Sequence, residues 1–247
     1  MKLLQWNVWY KEDISNILKT IKDINPDIVC LQELTINHPH HNQDIDTAKY
    51  VADGLGFNHF FGEAQKNFSN GKERSYGNGI FSRYPITRSD SHYIQEPQDP
   101  NIQNPDYSKE GRVYVETIIG VGGKMLTVAT THMSYTDRFV PTSTKEAETN
   151  KLISILKGKE DSFIIVGDFN SLPGSYTINE ILKYLENAGP PLEENTWTTK
   201  PFSYNGFETD ELEWRLDYCF TTSDINIKSA KILKTIYSDH LPILLEF

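Results

Sequence analysis

The sequence has few cysteines and no long apolar run. Its two cysteines, Cys30 and Cys219, each lie inside an apolar segment. We therefore expect buried free thiols, and a scaffold held together by disulfides is excluded. No stretch is long and apolar enough for a membrane span, and the N-terminus lacks a signal-peptide pattern. These absences predict a cytoplasmic protein without a membrane span.

Positive charge is also scarce. Lysine and arginine number 24 against 34 aspartates and glutamates, which gives a net charge of −10. Such a balance excludes a protein that holds nucleic acid mainly through a broad basic surface. An enzyme that handles phosphates is still compatible with it, because a metal ion bound by carboxylates supplies positive charge where it is needed.

Residues that form a core are plentiful. Hydrophobic residues make up 38% of the chain and aromatic residues 12%, so disorder is excluded. No linker rich in proline, glycine or serine divides the sequence, and we predict that residues 1–247 form one domain. Strand-like and helix-like segments alternate along it, which indicates an α/β fold.

The most informative stretch is the apolar run 163–166 with the Gly167-Asp168-Phe169-Asn170 that follows it. A run of β-branched and aromatic residues that ends in glycine predicts a buried strand, which delivers polar groups at its C-terminal end. Asp168 and Asn170 are two positions apart, so they point to the same side of an extended chain and can face one ligand. Taken alone, the tetrapeptide is equally well explained by an Asx turn that closes a core strand.

Other predicted strands also have polar side chains at their ends. Asn7 ends the first predicted strand, and Glu33 follows the second, which covers residues 28–31. Near the C-terminus, Asp239 and His240 come directly before a final apolar strand. A single polar residue after a strand is usually solvated, but several of them at strand ends begin to describe a site.

A predicted hairpin contributes two further candidates. Arg112 opens an alternating strand that runs to Ile119, and the next strand begins after Gly122-Gly123 and ends at His132. The sequence leaves open whether Arg112 and His132 meet. Asn78 lies between two glycines, which permit either a close backbone approach to a ligand or a β-bulge.

Three further segments have the composition of irregular structure. The histidine cluster at 38–41 fits neither a zinc spacing nor a helical histidine pair, so we expect a solvated loop there. Residues 65–76 mix basic and aromatic side chains, for which a solvated loop is again favoured over a grip on a polyanion. Residues 94–111 are rich in proline, asparagine and glutamine and predict a long surface loop.

A fourth irregular segment, residues 195–214, is rich in aromatic side chains that include Trp197 and Trp214. These rings either cover an edge of the core or form a wall that contacts the substrate, and the sequence favours neither reading. The strand that follows the segment carries Asp217, whose side chain can point inward.

Taken in order, the polar motifs carry a family resemblance that spans nearly the whole chain. They are Asn7, Gln32-Glu33, His132, Gly167-Asp168-Phe169-Asn170, Arg215-Leu216-Asp217-Tyr218 and Ser238-Asp239-His240. This ordered set resembles the endonuclease/exonuclease/phosphatase superfamily of metal-dependent phosphoesterases. The resemblance implies a DNase I-like fold, which is a four-layer α/β sandwich of two packed mixed β-sheets flanked by helices.

The resemblance also implies a role for each matching residue. Glu33 would be the principal metal ligand, with Asn7 and Asp239 in or near the coordination shell. Oxygen ligands without cysteine favour Mg²⁺ or Mn²⁺ over zinc. Asp168 would orient and deprotonate the attacking water, and Asn170 would place the phosphate.

Two histidines complete the implied catalytic set. His240, held by Asp217, would stabilise the transition state, and His132 would make a second contact to the phosphate. Arg112 and Asn78 are weaker candidates for that contact.

Local motifs divide between branches of the superfamily. Residues 7–13 and 26–35 are similar to tyrosyl-DNA phosphodiesterases, whereas residues 214–218 resemble abasic-site endonucleases of the exonuclease III type. We expect a divalent-metal-dependent phosphodiesterase that acts, as a monomer, on DNA or on an adduct at a DNA end. One alternative is an enzyme for a lipid or another small phosphate ester, which the acidic charge favours. The other is a binding module that has lost turnover.

Overall fold

A computed structural model describes residues 1–40, 42, 44–69, 71–102 and 107–247. Two six-stranded β-sheets pack face to face, and helices cover their outer faces. The layers follow the order helix, sheet, sheet, helix, so the predicted four-layer α/β sandwich is confirmed. None of the helices in the described ranges is long and apolar enough to cross a membrane.

The chain first builds most of one sheet, then the other, and returns to the first sheet with its last two strands. The strands are β1 (Lys2–Asn7), β2 (Ile28–Ile36), β3 (Asn58–Ser69), β4 (Lys72–Ser82), β5 (Ile86–Gln95), β6 (Arg112–Val121), β7 (Lys124–His132), β8 (Phe163–Asp168), β9 (Glu186–Asn187), β10 (Phe202–Tyr204), β11 (Phe207–Thr209), β12 (Asp217–Thr221), β13 (Ser229–Ile232) and β14 (Ile243–Glu246). The first sheet has the order β13-β14-β1-β2-β4-β3 and the second β5-β6-β7-β8-β12-β9, while β10 and β11 form a separate hairpin.

Both sheets are mixed, because each contains a parallel pair among antiparallel neighbours. The parallel pairs are β1 with β2 and β7 with β8. Parallel strands need a crossover connection, and a helix supplies it in both cases. The helices are α1 (Ile14–Ile24), α2 (Thr47–Leu55), α3 (Ser143–Leu156) and α4 (Tyr176–Ile181), of which α1 and α3 make the two crossovers.

Each helix begins at a residue whose side chain caps it. The capping residues, which accept a hydrogen bond from a backbone N–H of the first turn, are Asp13, Asp46, Thr142 and Ser175. Helix α1 ends at Asn25, which adopts the left-handed conformation typical of a helix C-terminus.

Successive residues of the central strands pack into different layers of the sandwich, as the two-residue period of a strand requires. Leu3 packs between the two sheets, whereas Leu4 packs under α1 and α2. In β8, Ile164 likewise faces the space between the sheets, and Ile165 faces α3 and α4. The expected free thiols are confirmed, since Cys30 and Cys219 are buried and unpaired.

One of the sequence-based interpretations was wrong in its secondary structure. Residues 65–76 do not form a loop, because β3 and β4 run through them as a long antiparallel hairpin. Of the predicted surface loop 94–111, residues 103–106 lie outside the described residues.

Gly167 marks a place where β8 has no room for a side chain. A Cβ atom there would lie 2.0 Å from the carbonyl oxygen of Thr131 in β7. Gly167 and the Thr131 carbonyl are both backbone groups held in the parallel ladder, so neither can move aside cheaply. The glycine therefore lets β7 and β8 pair up to their ends, where His132 and Asp168 lie.

We predict that Gly167→Ala lowers the free energy of unfolding by about 2 kcal/mol or more, because the added methyl group must displace backbone. Gly120→Ala in β6 is the matched control, since its Cβ would meet nothing nearer than 3.9 Å. We expect that control to change stability by about 0.5 kcal/mol at most. Urea unfolding of both variants measures the difference, and equal midpoints would contradict the steric explanation.

Candidate active site

The site lies where strands of both sheets end at one edge of the sandwich. In the first sheet, Asn7 pairs with Gln32. In the second, Asp168 pairs with His132 on one side and with Asp217 on the other. The strand register alone therefore gathers residues that are far apart in the sequence.

Glu33 reaches this edge because β2 is irregular around it. The register of β2 shifts between Leu31 and Leu34, and Glu33 has a φ of 61°. A β-bulge of this kind re-aims a side chain, and the Glu33 carboxylate lines the central cavity. Its Oε2 atom accepts a hydrogen bond from the backbone N–H of Tyr10 at 2.9 Å.

Asn7 connects the carboxylates of the two sheets. Its Nδ2 donates to Glu33 Oε1 at 3.1 Å and to Asp168 Oδ2 at 3.0 Å. Its Oδ1 accepts from the backbone N–H of Trp9 at 3.1 Å. Asn7 thus holds both carboxylates in position, and a direct contact of its oxygen with a metal ion stays a prediction.

Asp217, His240 and Asp168 form a buried chain. The Nδ1 of His240 donates to Asp217 Oδ2 at 2.8 Å, which leaves Nε2 facing Asp168 Oδ2 at 3.6 Å. The ligating atoms of these residues lie within 4.8 Å of one another. Both oxygens of Asp217 are already hydrogen-bonded, one to Gln5 and the other to His240.

Burial and charge shift the protonation of this chain. Burial raises the pKa of Asp168; the charge of Asp217 adds to this shift, and His240 opposes it. Burial alone would lower the pKa of His240, but the carboxylates of Asp217, Asp168 and Asp239 outweigh it and raise that pKa well above its ordinary value. A cationic His240 therefore lies between two buried carboxylates.

A row of buried amides supports Asp217 from behind, and sequence reasoning missed it. Gln5 Nε2 donates to Asp217 Oδ1 and to Gln32 Oε1, both at 2.9 Å. Gln32 Nε2 in turn donates to Thr130 Oγ1 at 2.8 Å. The available signal was a glutamine inside the apolar run of β1, because such a residue needs partners when it is buried.

His132 and Asn170 lie on the other side of Asp168. Asn170 Nδ2 donates to the Met133 carbonyl at 3.0 Å and lies 3.2 Å from His132 Nε2, which can accept its other hydrogen. Burial lowers the pKa of His132 well below its usual value, and the positive charges of Arg112, His240 and Lys145 lower it further. His132 is thus a neutral imidazole in a positively charged part of the site.

Asp239 is positioned by Trp197, which the sequence placed either over an edge of the core or in a wall against the substrate. The indole Nε1 donates to Asp239 Oδ2 at 3.1 Å. The next residue back, Ser238, donates through Oγ to the Asn7 carbonyl at 2.6 Å and so anchors this loop to β1.

Glu33 and Asp239 fit a hard divalent cation. Burial raises the pKa of Glu33, and the negative charge of Asp239 raises it further. A cation between two such carboxylates would remove this repulsion, and oxygen donors of this type are those that Mg²⁺ and Mn²⁺ prefer. These two side chains would hold the ion, with Asn7 beside them.

A single cavity of about 880 Å³ joins these groups. The predicted site residues that line it are Glu33, Asn78, Arg112, His132, Asp168, Asn170, Trp197, Asp239 and His240. Asn7 and Asp217 lie directly behind them, hydrogen-bonded to members of that set.

The residues predicted to contact the phosphate differ in whether their polar groups are already hydrogen-bonded. Tyr114 pairs with Thr131 across the hairpin, so Arg112 and His132 lie at the same end of it and face the same cavity. Asn78 Nδ2 is occupied, because it donates to the Val113 carbonyl at 3.0 Å.

The aromatic segment proves to be partly wall and partly core. Trp197 and Phe202 line the cavity with their rings 4.9 Å apart. Trp214 lies outside the cavity lining and packs behind it against Phe139 and Phe207. Residues of this segment therefore lie both in the cavity wall and in the packing behind it, and a contact with the substrate stays a prediction.

The histidine cluster lies in a loop as predicted, with Pro39 and His40 exposed, but His38 is not solvated. His38 is only 4% exposed and stacks on His40 with ring centroids 4.9 Å apart. Tyr10 and Tyr76 contact it edge-on at 5.0 and 5.4 Å. These packing contacts bury His38 in the cavity wall, while His41 lies outside the described residues.

Lys145 is a further site residue that the sequence did not reveal. It is 3% exposed, and its Nζ donates to the carbonyls of Ser134 and Phe169, both at 2.7 Å. Burial lowers its pKa to about 8, although Glu148 acts in the opposite direction. Lys145 thus ties the chain after His132 to the turn that carries Asp168.

Two mixed six-stranded sheets packed face to face between helices define the DNase I-like class of α/β sandwiches. The model of the endonuclease/exonuclease/phosphatase family matches residues 4–240, and the chain belongs to that family. No curated protein sequence matches it.

Solved structures share the fold at low sequence identity. A family protein from Beutenbergia cavernae is 20% identical over 99% of this chain and 70% of its own, with a TM-score of 0.76. A mannosyl-6-phosphatase from Bacteroides thetaiotaomicron is 15% identical over 100% and 98%, with a TM-score of 0.68. TDP2 from D. rerio, in complex with a single-stranded DNA product, is 17% identical over 99% and 97%, with a TM-score of 0.66.

We predict that Lys145→Met destabilises the protein by about 2 kcal/mol or more. The change removes the hydrogen-bond donor of two buried carbonyls and leaves Glu148 without its countercharge. Lys145→Arg keeps the charge and should recover part of the loss. Adding Glu148→Gln to Lys145→Met should cost less than the sum of the single changes. Chemical denaturation of the set measures this coupling, and strictly additive losses would show that the two side chains do not act together.

Proposed function

We propose that this protein is a divalent-metal-dependent phosphoester hydrolase with water as the nucleophile. The observation that carries the proposal is the buried chain Asp217–His240–Asp168, which faces the Glu33 and Asp239 carboxylates across one cavity. Family membership supports it, because the family comprises nucleases, phosphodiesterases and phosphatases.

The chemistry follows from what hydrolysis of a phosphoester requires. The negative charge of the ester repels a nucleophile, so the site must neutralise that charge and hold a water molecule in line with the leaving oxygen. A divalent cation held by Glu33 and Asp239 would supply charge neutralisation and would make a bound water more acidic. Asp168 orients the attacking water and takes its proton.

Three further side chains act on the phosphate in this proposal. His240, held by Asp217, donates through Nε2 to an oxygen of the phosphoryl group as charge builds up on it. Asn170 and His132 place the phosphate on the opposite side of Asp168. Both line the cavity, and one phosphate group can replace the hydrogen bond of 3.2 Å that they make with each other.

The substrate we propose is an ester at a DNA end, of the kind predicted from the sequence. A cavity of about 880 Å³ is of the size that holds a small ligand or a terminal group. The likeness to TDP2 in complex with a DNA product supports this choice. A small phosphate ester is the second candidate, favoured by the net charge of −10 and the likeness to a mannosyl-6-phosphatase.

Substitution of the proposed catalytic groups tests the mechanism. Asp168→Asn and His240→Ala should each lower kcat by about a hundredfold or more, because each removes a proton-transfer or charge-stabilising group. Glu33→Gln should instead raise the Mg²⁺ concentration needed for half-maximal rate. Asp23→Asn, a carboxylate change on the exposed face of α1, is the control. Wild-type kcat in Asp168→Asn at saturating Mg²⁺ would overturn the role of Asp168.

A substrate panel tests the class of ester. We expect Mg²⁺-dependent and EDTA-sensitive turnover of a phosphotyrosyl oligonucleotide, with weaker cleavage of uninterrupted duplex DNA. Abasic duplex, sphingomyelin and mannose phosphate complete the panel. Turnover of mannose phosphate alone would select the second candidate, and the absence of turnover on every member would contradict the hydrolase proposal.

A further inference from the structure

Buried polar atoms without a partner are concentrated along the cavity. Those that line it are His38 Nδ1, Arg74 Nε, Arg112 Nε and Ser134 Oγ, each without a hydrogen-bond partner among the described residues. Buried donors are costly when unpaired, so such atoms mark places where a ligand completes the hydrogen bonding. Arg112 and Ser134 lie near His132, on the side of the scissile phosphate. His38 and Arg74 form a separate group.

His38 and Arg74 come from the wall formed by the loop after β2 and the β3–β4 hairpin. His38 is held by the stacking of His40 and the edge contacts of Tyr10 and Tyr76 described above. Burial lowers the pKa of His38 to about 4, with positive charges that include Arg74 adding to the effect. A neutral imidazole beside a guanidinium thus lines the cavity, with aromatic rings packed around the imidazole.

Arg74 differs from the other basic residues of the same hairpin. Lys66 lies 3.0 Å from Glu73, and Lys72 pairs with Asp44, so both are neutralised locally. For Arg74, the described part of the chain provides no such ion pair. In a protein with a net charge of −10, a cation of this kind inside a cavity attracts an anionic group.

We propose that His38 and Arg74 form a second anion subsite, which binds a second phosphate group of the substrate while the scissile phosphate lies beside His132 and Asp168. The inference rests on the proposed hydrolase function and narrows its substrates to esters that carry two phosphates. The second phosphate belongs either to the next linkage of a nucleic-acid end or to a small bisphosphate. Both present the same anion to Arg74.

Kinetics on matched substrates test the subsite. Wild-type protein with Mg²⁺ should prefer a phosphorylated trinucleotide or a nucleoside bisphosphate over nitrophenyl phosphate, which has one phosphate. Arg74→Gln should reduce this preference by about tenfold or more, the value of a charge-assisted hydrogen bond. The trinucleotide and the bisphosphate distinguish the two sources. A wild-type enzyme without preference, or a preference that survives Arg74→Gln, would overturn the proposal.

Lys72→Gln is the matched control, because it removes a positive charge from the same hairpin at a residue already paired with Asp44. It should leave both the preference and the absolute rates at their wild-type values. An equal loss of preference in Lys72→Gln and Arg74→Gln would mean that the hairpin acts through general charge and would refute a specific subsite.

A binding experiment without turnover separates this inference from the proposed function. Inorganic pyrophosphate is titrated into metal-free protein while the histidine ring signals are followed by NMR, with the His38 signal identified by its loss in His38→Gln. The His38 signal should shift in wild-type and Lys72→Gln protein and respond about tenfold more weakly in Arg74→Gln. No shift at His38 would refute the subsite even if hydrolysis is found. A shift without any hydrolysis would retain the subsite and refute the hydrolase.

Discussion

The crowding of carboxylates at one edge of the sandwich is the constraint on which the rest of the site depends. Glu33, Asp168, Asp217 and Asp239 converge there, and Asp168 and Asp217 are buried. Buried negative charges are stable only when they are paired and hydrogen-bonded. The positive charge of His240 compensates Asp168 and Asp217, and the amide of Asn7 bridges Glu33 and Asp168. A divalent ion between Glu33 and Asp239 would reduce the repulsion that remains.

The compensating groups come from both sheets, which couples the site to the packing of the sandwich. Asn7 and Gln5 belong to β1 of the first sheet, yet they donate to Asp168 and Asp217 of the second. Gln32 bonds Thr130 across the same interface. These hydrogen bonds form only when the two apolar faces meet in one register, so folding of the core and assembly of the site are a single event.

The sequence was enough to predict the strands that end in Asn7 and Asp168, together with the order of the polar motifs. Strand period and strand-end chemistry are local properties. The burial of His38 could not be predicted, since it depends on Tyr76 from a distant hairpin that itself looked like a loop. Lys145 was missed for a related reason. Nothing near it in the sequence distinguishes a buried lysine at a helix start from a solvated one; its partners come from two other loops.

An acidic protein that handles phosphates must separate its charges in space, and this cavity does so. The carboxylates Glu33 and Asp239 occupy one side, whereas Arg112 and Lys145 lie on the side of His132, whose pKa they lower. With Arg74 on a third wall, an anion that enters finds local positive potential although the surface as a whole repels it. A long polyanion must bring many phosphates against that surface, whereas a terminal or compact ester exposes only the few charges that the cavity can match. Under the proposed function, this charge distribution would favour a terminal or compact ester over a long polyanion.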